Sequence, residues 1–315
     1  MDIHAASREG LMSTQATIRK RSLVSYKTKR ALVPYAYMAP ATFLFCLLML
    51  YPMVTVFRYS LMNGAITKRN PSFVGFQNYI TNFENPVFWQ AIGQTLYFTV
   101  LSVIFHLLIG MAFALLLNSP LVNPLIRSVL RTLYVLPWLF TAVIIAVIWR
   151  LLLDPEGVIN AMLMSLHIVS YKVEWFSSEK TALDALTFVN IWAGYPLYMV
   201  SLLAGLQGVP KELYEAAGID GANALEKFWH ITIPQLRPIM ISIALLDFIW
   251  TMQVFPLIWT ITGGGPIYAT EVMSTYTYKQ AFADYDFSMA SSSAFCILIL
   301  SMSVTYFYIK HQKAQ

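Results

Sequence analysis

Charge is scarce in this chain. Asp, Glu, Lys and Arg together make up 12% of its 315 residues, about half the share usual in a soluble domain. That scarcity excludes an ordinary soluble protein. Cysteine is nearly absent too: Cys46 and Cys296 are the only two, both inside apolar runs, which argues against a disulfide framework or a paired-cysteine metal site. No G-x-x-x-x-G-K-[ST] phosphate loop, H-E-x-x-H helix or G-x-S-x-G elbow occurs, so the sequence offers no site of its own for ATP, zinc proteolysis or serine hydrolysis. Acids and histidines inside the apolar runs are too few for a proton relay. Work done by this chain would draw its energy from outside it.

What remains is hydrophobic. Apolar residues make up 57% of the chain and mean hydropathy is +0.59, the profile of an integral membrane protein. The aromatic share of 15% suits belts at two membrane interfaces. About thirty polar and basic residues precede the first apolar run with no cleavage-like site, so a signal peptide is not expected. A span needs ~20 mostly apolar residues, and six candidates follow: Leu32–Ser60, Ala91–Asn118, Leu133–Leu153, Ala185–Leu206, Pro238–Ile261 and Phe287–Ile309. The expected fold is an all-α membrane protein of six transmembrane helices. Residues 1–31 would be a cytoplasmic extension, 32–309 the membrane domain and 310–315 a cytoplasmic tail. With the N-terminus inside, fourteen of the 21 Lys and Arg residues fall on the cytoplasmic side and seven on the other, as the excess of basic residues in cytoplasmic loops requires. Both termini are therefore expected to be cytoplasmic. The outer loop that begins Gly263-Gly264-Gly265-Pro266 carries Tyr268, Tyr276, Tyr278, Phe282 and Tyr285, which read equally well as interfacial anchors or as a docking surface.

One inner segment, about residues 207–237 between the fourth and fifth spans, is polar in an oily chain. It contains Glu215-Ala216-Ala217, three residues, Gly221, nine residues, then Ile231-Thr232-Ile233-Pro234. Small residues permit close approach to another surface, and charges fix orientation. Pro234 and Pro238 are expected to mark where the fifth span starts.

The spacing resembles the E-A-A-x3-G-x9-I-x-L-P loop of permease subunits of binding-protein-dependent ABC importers, with isoleucine at Ile233 where leucine is usual. Val74-Gly75-Phe76-Gln77-Asn78-Tyr79, Asn190-Ile191-Trp192-Ala193-Gly194-Tyr195-Pro196 and Thr262-Gly263-Gly264-Gly265-Pro266 resemble elements of the maltose and glycerol-3-phosphate branch. The resemblance extends from Leu32 onward and implies a non-catalytic subunit in the bacterial cytoplasmic (inner) membrane that moves a carbohydrate by alternating access. Glu215, Ala216, Ala217, Asp220 and Gly221 would form a coupling helix docked in a partner ATPase, and ATP and Mg would sit on that partner. A second homologous permease completing a heterodimer, two ATPase subunits and an extracytoplasmic binding protein are the implied partners; no nucleic acid is. The competing reading is a self-contained secondary carrier or channel, which would need ion-coupling residues or repeats that the sequence lacks.

Asp247 lies mid-way along the fifth span, where a carboxylate costs ~3 kcal/mol unless it faces a cavity or partner. Trp250, Thr251 and Val254 share its helix face at i+3, i+4 and i+7, whereas Gln253 points away. An acid, an indole and a hydroxyl on one stripe suit a polyol: oxygens exchange hydrogen bonds with hydroxyls and the ring stacks on a sugar's C–H face. The resemblance places this stripe at sugar-contacting positions, with Thr251 and Val254 where the maltose permease favours amides. It adds Asn190 and Gly194 in the fourth span, and Tyr198 standing in for a polar aromatic replaced by Leu197. His106 reads as a satisfied packing residue. The middles of the fourth and fifth spans hold no Lys or Arg to neutralise an anion, so a neutral sugar is favoured over an acidic one.

Overall fold

The computed structural model describes residues 33–35 and 37–312. The expected extension over residues 1–31, the start of the first span at Leu32 and the last three residues lie outside the described residues. The chain divides into two units after Arg58. The first is, in its described part, most of helix α1 (Tyr37–Ser60), which holds one π-helical turn at Cys46–Leu50. Its side chains are apolar and largely exposed. Thr42 and Thr55 each return their hydroxyl to the carbonyl four residues earlier, so neither places an unsatisfied polar group on that surface.

The second unit holds everything from Tyr59. A two-stranded hairpin, β1 (Met62–Asn63) and β2 (Ser72–Phe73), pairs antiparallel with Met62 opposite Phe73. Asn78 explains the motif around it: its amide donates to the carbonyls of Ser60 and Met62 at 2.8 Å each, pinning α2 (Gln77–Glu84) beside the hairpin. Then come α3 (Pro86–Asn118), α4 (Pro124–Leu139), α5 (Ala142–Leu152), α6 (Val158–Ser165) and α7 (Ala182–Gln207). Helix α8 (Lys211–Ile219) leads to α9 (Ala224–Met252), α10 (Pro256–Ile261), α11 (Met273–Phe282) and α12 (Phe287–Gln312). Local chemistry sets several starts. Asn85 and Asn123 accept from the amides of Val87 and Leu125 just ahead of Pro86 and Pro124, and Thr141 accepts from Ile144. Each side chain caps a helix whose first N–H groups have no partner of their own, and the prolines stand where no N–H is needed.

Among the described residues, five helices can cross a bilayer by length and composition: α1, α3, α7, α9 and α12; α4 with α5 makes a sixth if they are one span bent by 101°. The third span expected over Leu133–Leu153 is thus not one continuous helix. Pro137 lies within α4, but the break comes after it, at Phe140 and Thr141, both extended. The fifth span is corrected as well. It does not start at Pro238 and run to Ile261; α9 starts at Ala224, carries Pro234 and Pro238 inside it, and stops at Met252. A π-helical turn at Phe228–Thr232 just ahead of Pro234 supplies the slack a proline needs, since an N–H is missing there anyway.

The core centres on α3, which packs along the length of α7, with α9 against both. Phe98, Leu186, Val189, Tyr198, Met199, Leu202 and Leu236 are fully buried there. The end of the bundle formed by α2, α11 and the start of α12 is tied by amides and hydroxyls. Asn82 donates to Ser292 and Ser293, and Gln280 and Tyr276 donate to Asn82. Burial pushes the Tyr276 phenol above its usual pKa, so it stays a donor. Tyr276 is thus core, unlike exposed Tyr268, Phe282 and Tyr285.

Candidate functional site

Three polar stripes meet in this core. On α3, buried Thr95, Thr99, Ser102 and His106 recur at steps of three or four residues, the spacing of one helix face. On α7 the stripe is Thr187, Asn190, Gly194 and Tyr198, and on α9 it is Asp247 and Thr251. Where they converge, His106 Nδ1 lies 2.8 Å from Asp247 Oδ2 and His106 Nε2 lies 2.9 Å from the Asn190 carbonyl. Tyr198 donates to Asp247 Oδ2 at 2.9 Å, Thr251 donates to Oδ1 at 3.0 Å, and the Asn190 amide donates to Ser102 Oγ at 2.9 Å.

The partners fix the protons. A carbonyl can only accept, so Nε2 of His106 carries hydrogen. Both hydroxyls spend their hydrogens on the carboxylate. The Nδ1···Oδ2 contact then needs one proton, held either by the ring as imidazolium against carboxylate or by the acid against neutral imidazole. In both arrangements the pair has no net charge. His106 is 1% and Asp247 7% exposed, and a buried charge without a partner would be costly.

Beside the network opens a cleft of about 310 Å³. Its wall includes Asn190, Gly194, Leu197, His106, Asp247, Trp250, Thr251 and Val254, closed on another side by Pro137, Trp138 and Phe140 from the bend. No lining residue is Lys or Arg. The structure thus brings Asn190, Gly194, Asp247, Trp250 and Thr251 to one wall, with the indole of Trp250 half exposed to it. Tyr198 is placed elsewhere: it is fully buried, lies behind Asp247 as a donor, and leaves Leu197 on the cleft. Gly194 has a specific neighbour. A methyl on its Cα would overlap Cε1 and Nε2 of His106, so the glycine is the seat of the imidazole. His106 itself, read from sequence as packing, is a central member. The signal that could have found it was the Thr-Thr-Ser-His stripe on a helix whose other residues are mostly apolar.

The polar segment between α7 and α9 forms a helical hairpin. Glu215, Ala216 and Asp220 are exposed and Ala217 is partly so. Gly221 follows with φ of +81°, the left-handed conformation that glycine adopts most easily. Asn223 and Glu226 then close a capping box at the start of α9. Tyr214 shares a hydrogen bond with Thr232 at 2.9 Å, which fastens α8 to the π-helical turn. Lys227 Nζ lies near Gly218, beside the carboxyl end of α8, where the helix dipole favours a cation. Ile219, Leu225 and Trp229 stand exposed around this hairpin. A concavity of about 400 Å³ between Ala217, Gly221, Ala222, Lys227 and His230 completes it. Among the described residues no group of three or more His, Cys, Asp or Glu could hold a metal.

A family profile described as binding-protein-dependent transport system inner membrane component matches residues 106–312. The chain is 32% identical to the trehalose/maltose transport system permease protein of Thermococcus litoralis over 282 residues, 89% of this chain and 94% of that one. It is 31% identical to the sulfoquinovosyl glycerol transport system permease protein of Agrobacterium fabrum, over 87% of this chain and 88% of the relative. Among solved structures, a chain of a bacterial ABC transporter involved in the import of the acidic polysaccharide alginate superposes with a TM-score of 0.79 at 22% identity, covering 92% of this chain and 98% of that one. That last likeness is one of fold.

Proposed function

Because the chain belongs to the family of binding-protein-dependent transport system inner membrane components, we propose that it is a transmembrane subunit of an ATP-driven carbohydrate importer and lines the translocation path. Relatives named as permeases for trehalose and maltose and for sulfoquinovosyl glycerol support a carbohydrate. The observation that carries the site is the cleft where Asp247, Trp250, Thr251, Asn190 and His106 meet. It joins an aromatic face to hydrogen-bonding groups, which is what a sugar ring with apolar C–H faces and a hydroxyl rim requires.

In this reading the chain crosses the bacterial inner membrane six times, the bent α4–α5 pair counting as one span, with both termini cytoplasmic. Residues 32–309 form the membrane domain, and 1–31 and 310–315 extend into the cytoplasm. Glu215, Ala216, Ala217, Asp220 and Gly221 dock in one of two ATPase subunits, which hold the ATP and Mg. A second permease completes the path and a binding protein delivers the sugar outside. The chain performs no chemistry of its own; ATPase closure shifts the hairpin, α9 follows, and the cleft changes side. Since a partner's closure does work only through contacts that differ between the two states, the left-handed turn at Gly221 and the Tyr214–Thr232 bond are the parts that transmit it.

The test is uptake into vesicles carrying the whole assembled transporter, with ATP inside, binding protein outside and a panel of 14C-labelled maltose, trehalose and raffinose. Accumulation should require ATP, the ATPase subunits and the binding protein together. Uptake by this chain alone, without ATP, would show a self-contained carrier and sink the proposal.

A further inference from the structure

We propose that His106 sets the charge of the substrate cleft: as a positioning residue it shares one proton with Asp247, so the wall meets the sugar polar but neutral, and Gly194 is the gap that seats it. The inference rests on the carbohydrate reading of the cleft and deepens it to uncharged polyhydroxyl substrates over acidic ones.

Three observations carry it. The ring is held at both nitrogens, by Asp247 Oδ2 at 2.8 Å and by the Asn190 carbonyl at 2.9 Å, so its orientation leaves a single place for the shared proton. The titratable groups that meet the ring are Asp247 from α9 and Tyr198 from α7, whose ring centre lies 5.8 Å away. Tyr198 donates to the carboxylate and brings no opposing charge. Finally, no Lys or Arg lines the cleft, so without His106 the carboxylate would stand alone in a low-dielectric wall. A bare carboxylate can accept from sugar hydroxyls, but it repels uronates and is itself strongly destabilised. Paired with imidazole it keeps one Oδ1 lone pair for a hydroxyl, the other three being taken by His106, Tyr198 and Thr251, while attracting neither cations nor anions over distance.

The experiment compares His106→Gln, Asp247→Asn and the double variant in the complete transporter. Gln at 106 can still donate to the Asn190 carbonyl but cannot hold the shared proton. Uptake of the 14C maltose–trehalose–raffinose panel should fall more than about a hundredfold in His106→Gln, the scale expected when one partner of a buried ion pair is removed. In Asp247→Asn the wall stays neutral, and the loss should be about tenfold, that of a weakened hydrogen bond. The double variant should rise from the His106→Gln level to that of Asp247→Asn, in uptake and in the amount of assembled complex. A packing role predicts the reverse, with the double variant at or below the worse single one. That result, or His106→Gln transporting as wild type does, overturns the proposal. A second arm needs no sugar: in the purified transporter with 15N-labelled histidine, the His106 signals should show a hydrogen at Nε2 and a second one at Nδ1 shared with Asp247. Replacing Asp247 by Asn should convert the His106 signal to the neutral Nε2–H form. A His106 signal that Asp247→Asn leaves unchanged refutes the pairing. Wild-type vesicles that take up no sugar at all, with the 15N result as expected, would instead fault the carbohydrate reading.

Discussion

A missing methyl group decides where the imidazole of His106 can sit. Gly194 faces the ring so closely that any Cβ would overlap it, and the ring is walled in by α7 and α9. Gly194→Ala must therefore push His106 off Asp247 or α3 off α7. Overpacking of this kind costs about 1–3 kcal/mol. The purified transporter should melt several degrees lower, and sugar uptake should fall with it. Restoring space through Gly194→Ala combined with His106→Ala should relieve the overlap yet recover neither melting nor uptake, because the buried carboxylate then lacks its partner. At this scale the sequence was half legible. Asp247 and Thr251 announce themselves as an i, i+4 pair in an apolar run, and a carboxylate there demands a partner. The partner could not be named, because His106 is 141 residues away and its side chain is unremarkable until α3 and α7 are packed. Tyr198 was misplaced for a related reason. Leu197 and Tyr198 lie 100° apart on a helix, and only packing tells which one faces the cleft.

Between the helices, the hairpin from α8 to α9 was legible because its chemistry is local. Small residues and a glycine act within a dozen residues, whereas the equally local Asn223–Glu226 cap was not read from the sequence. Gly221 sits at φ +81° with open space where a Cβ would go, so substitution there is limited by backbone strain and not by collision. A branched residue in the left-handed region costs about 1–2 kcal/mol, whereas asparagine visits it more readily. Gly221→Val should therefore lower uptake far more than Gly221→Asn, and the ratio of sugar moved to ATP hydrolysed should fall with it. Equal uptake in the two variants would mean that this turn does not transmit motion. The helix limits were less legible. Proline usually marks a boundary, yet Pro234 and Pro238 lie within α9 because a π-helical turn precedes them. The third span hid its bend because no glycine or proline occupies Phe140 or Thr141. There the extended backbone and the Thr141 cap do the work, and Pro137 and Trp138 are carried to the cleft wall as a result.

Across the whole molecule, long apolar helices were plain from composition, since spans must satisfy their own backbone in hydrocarbon. Their direction rests on the basic residues, and the proposed orientation has an accessible check. Both native cysteines are free, so a chain with Cys46→Ser and Cys296→Ser can carry a single new thiol. Ser177→Cys, on an outer loop, should react with a membrane-impermeant maleimide added to intact cells. Ala224→Cys, beside the proposed ATPase contact, should react only after the membrane is opened. The opposite pattern would invert the molecule and move the hairpin to the wrong side for any ATPase. What composition could not show is how one end of the bundle is closed: amide and hydroxyl side chains from α11 and α12, far away in the chain, converge on Asn82 of α2. Such polar groups look like ordinary loop residues until the helices meet.

The His106–Asp247 pair also has a meaning for how the protein is made. Ribosomes deliver α3 to the membrane long before α9, so the histidine is already in place. The acid arrives last, and its segment becomes comfortable in lipid only once it finds that ring. Newly synthesised chains lacking the imidazole should be caught at this point by membrane proteases. In a pulse-chase, His106→Ala should disappear quickly while the His106→Ala, Asp247→Ala pair persists. A contact described above as part of a transport path would then be, earlier in the protein's life, the checkpoint that decides whether the chain survives to carry anything.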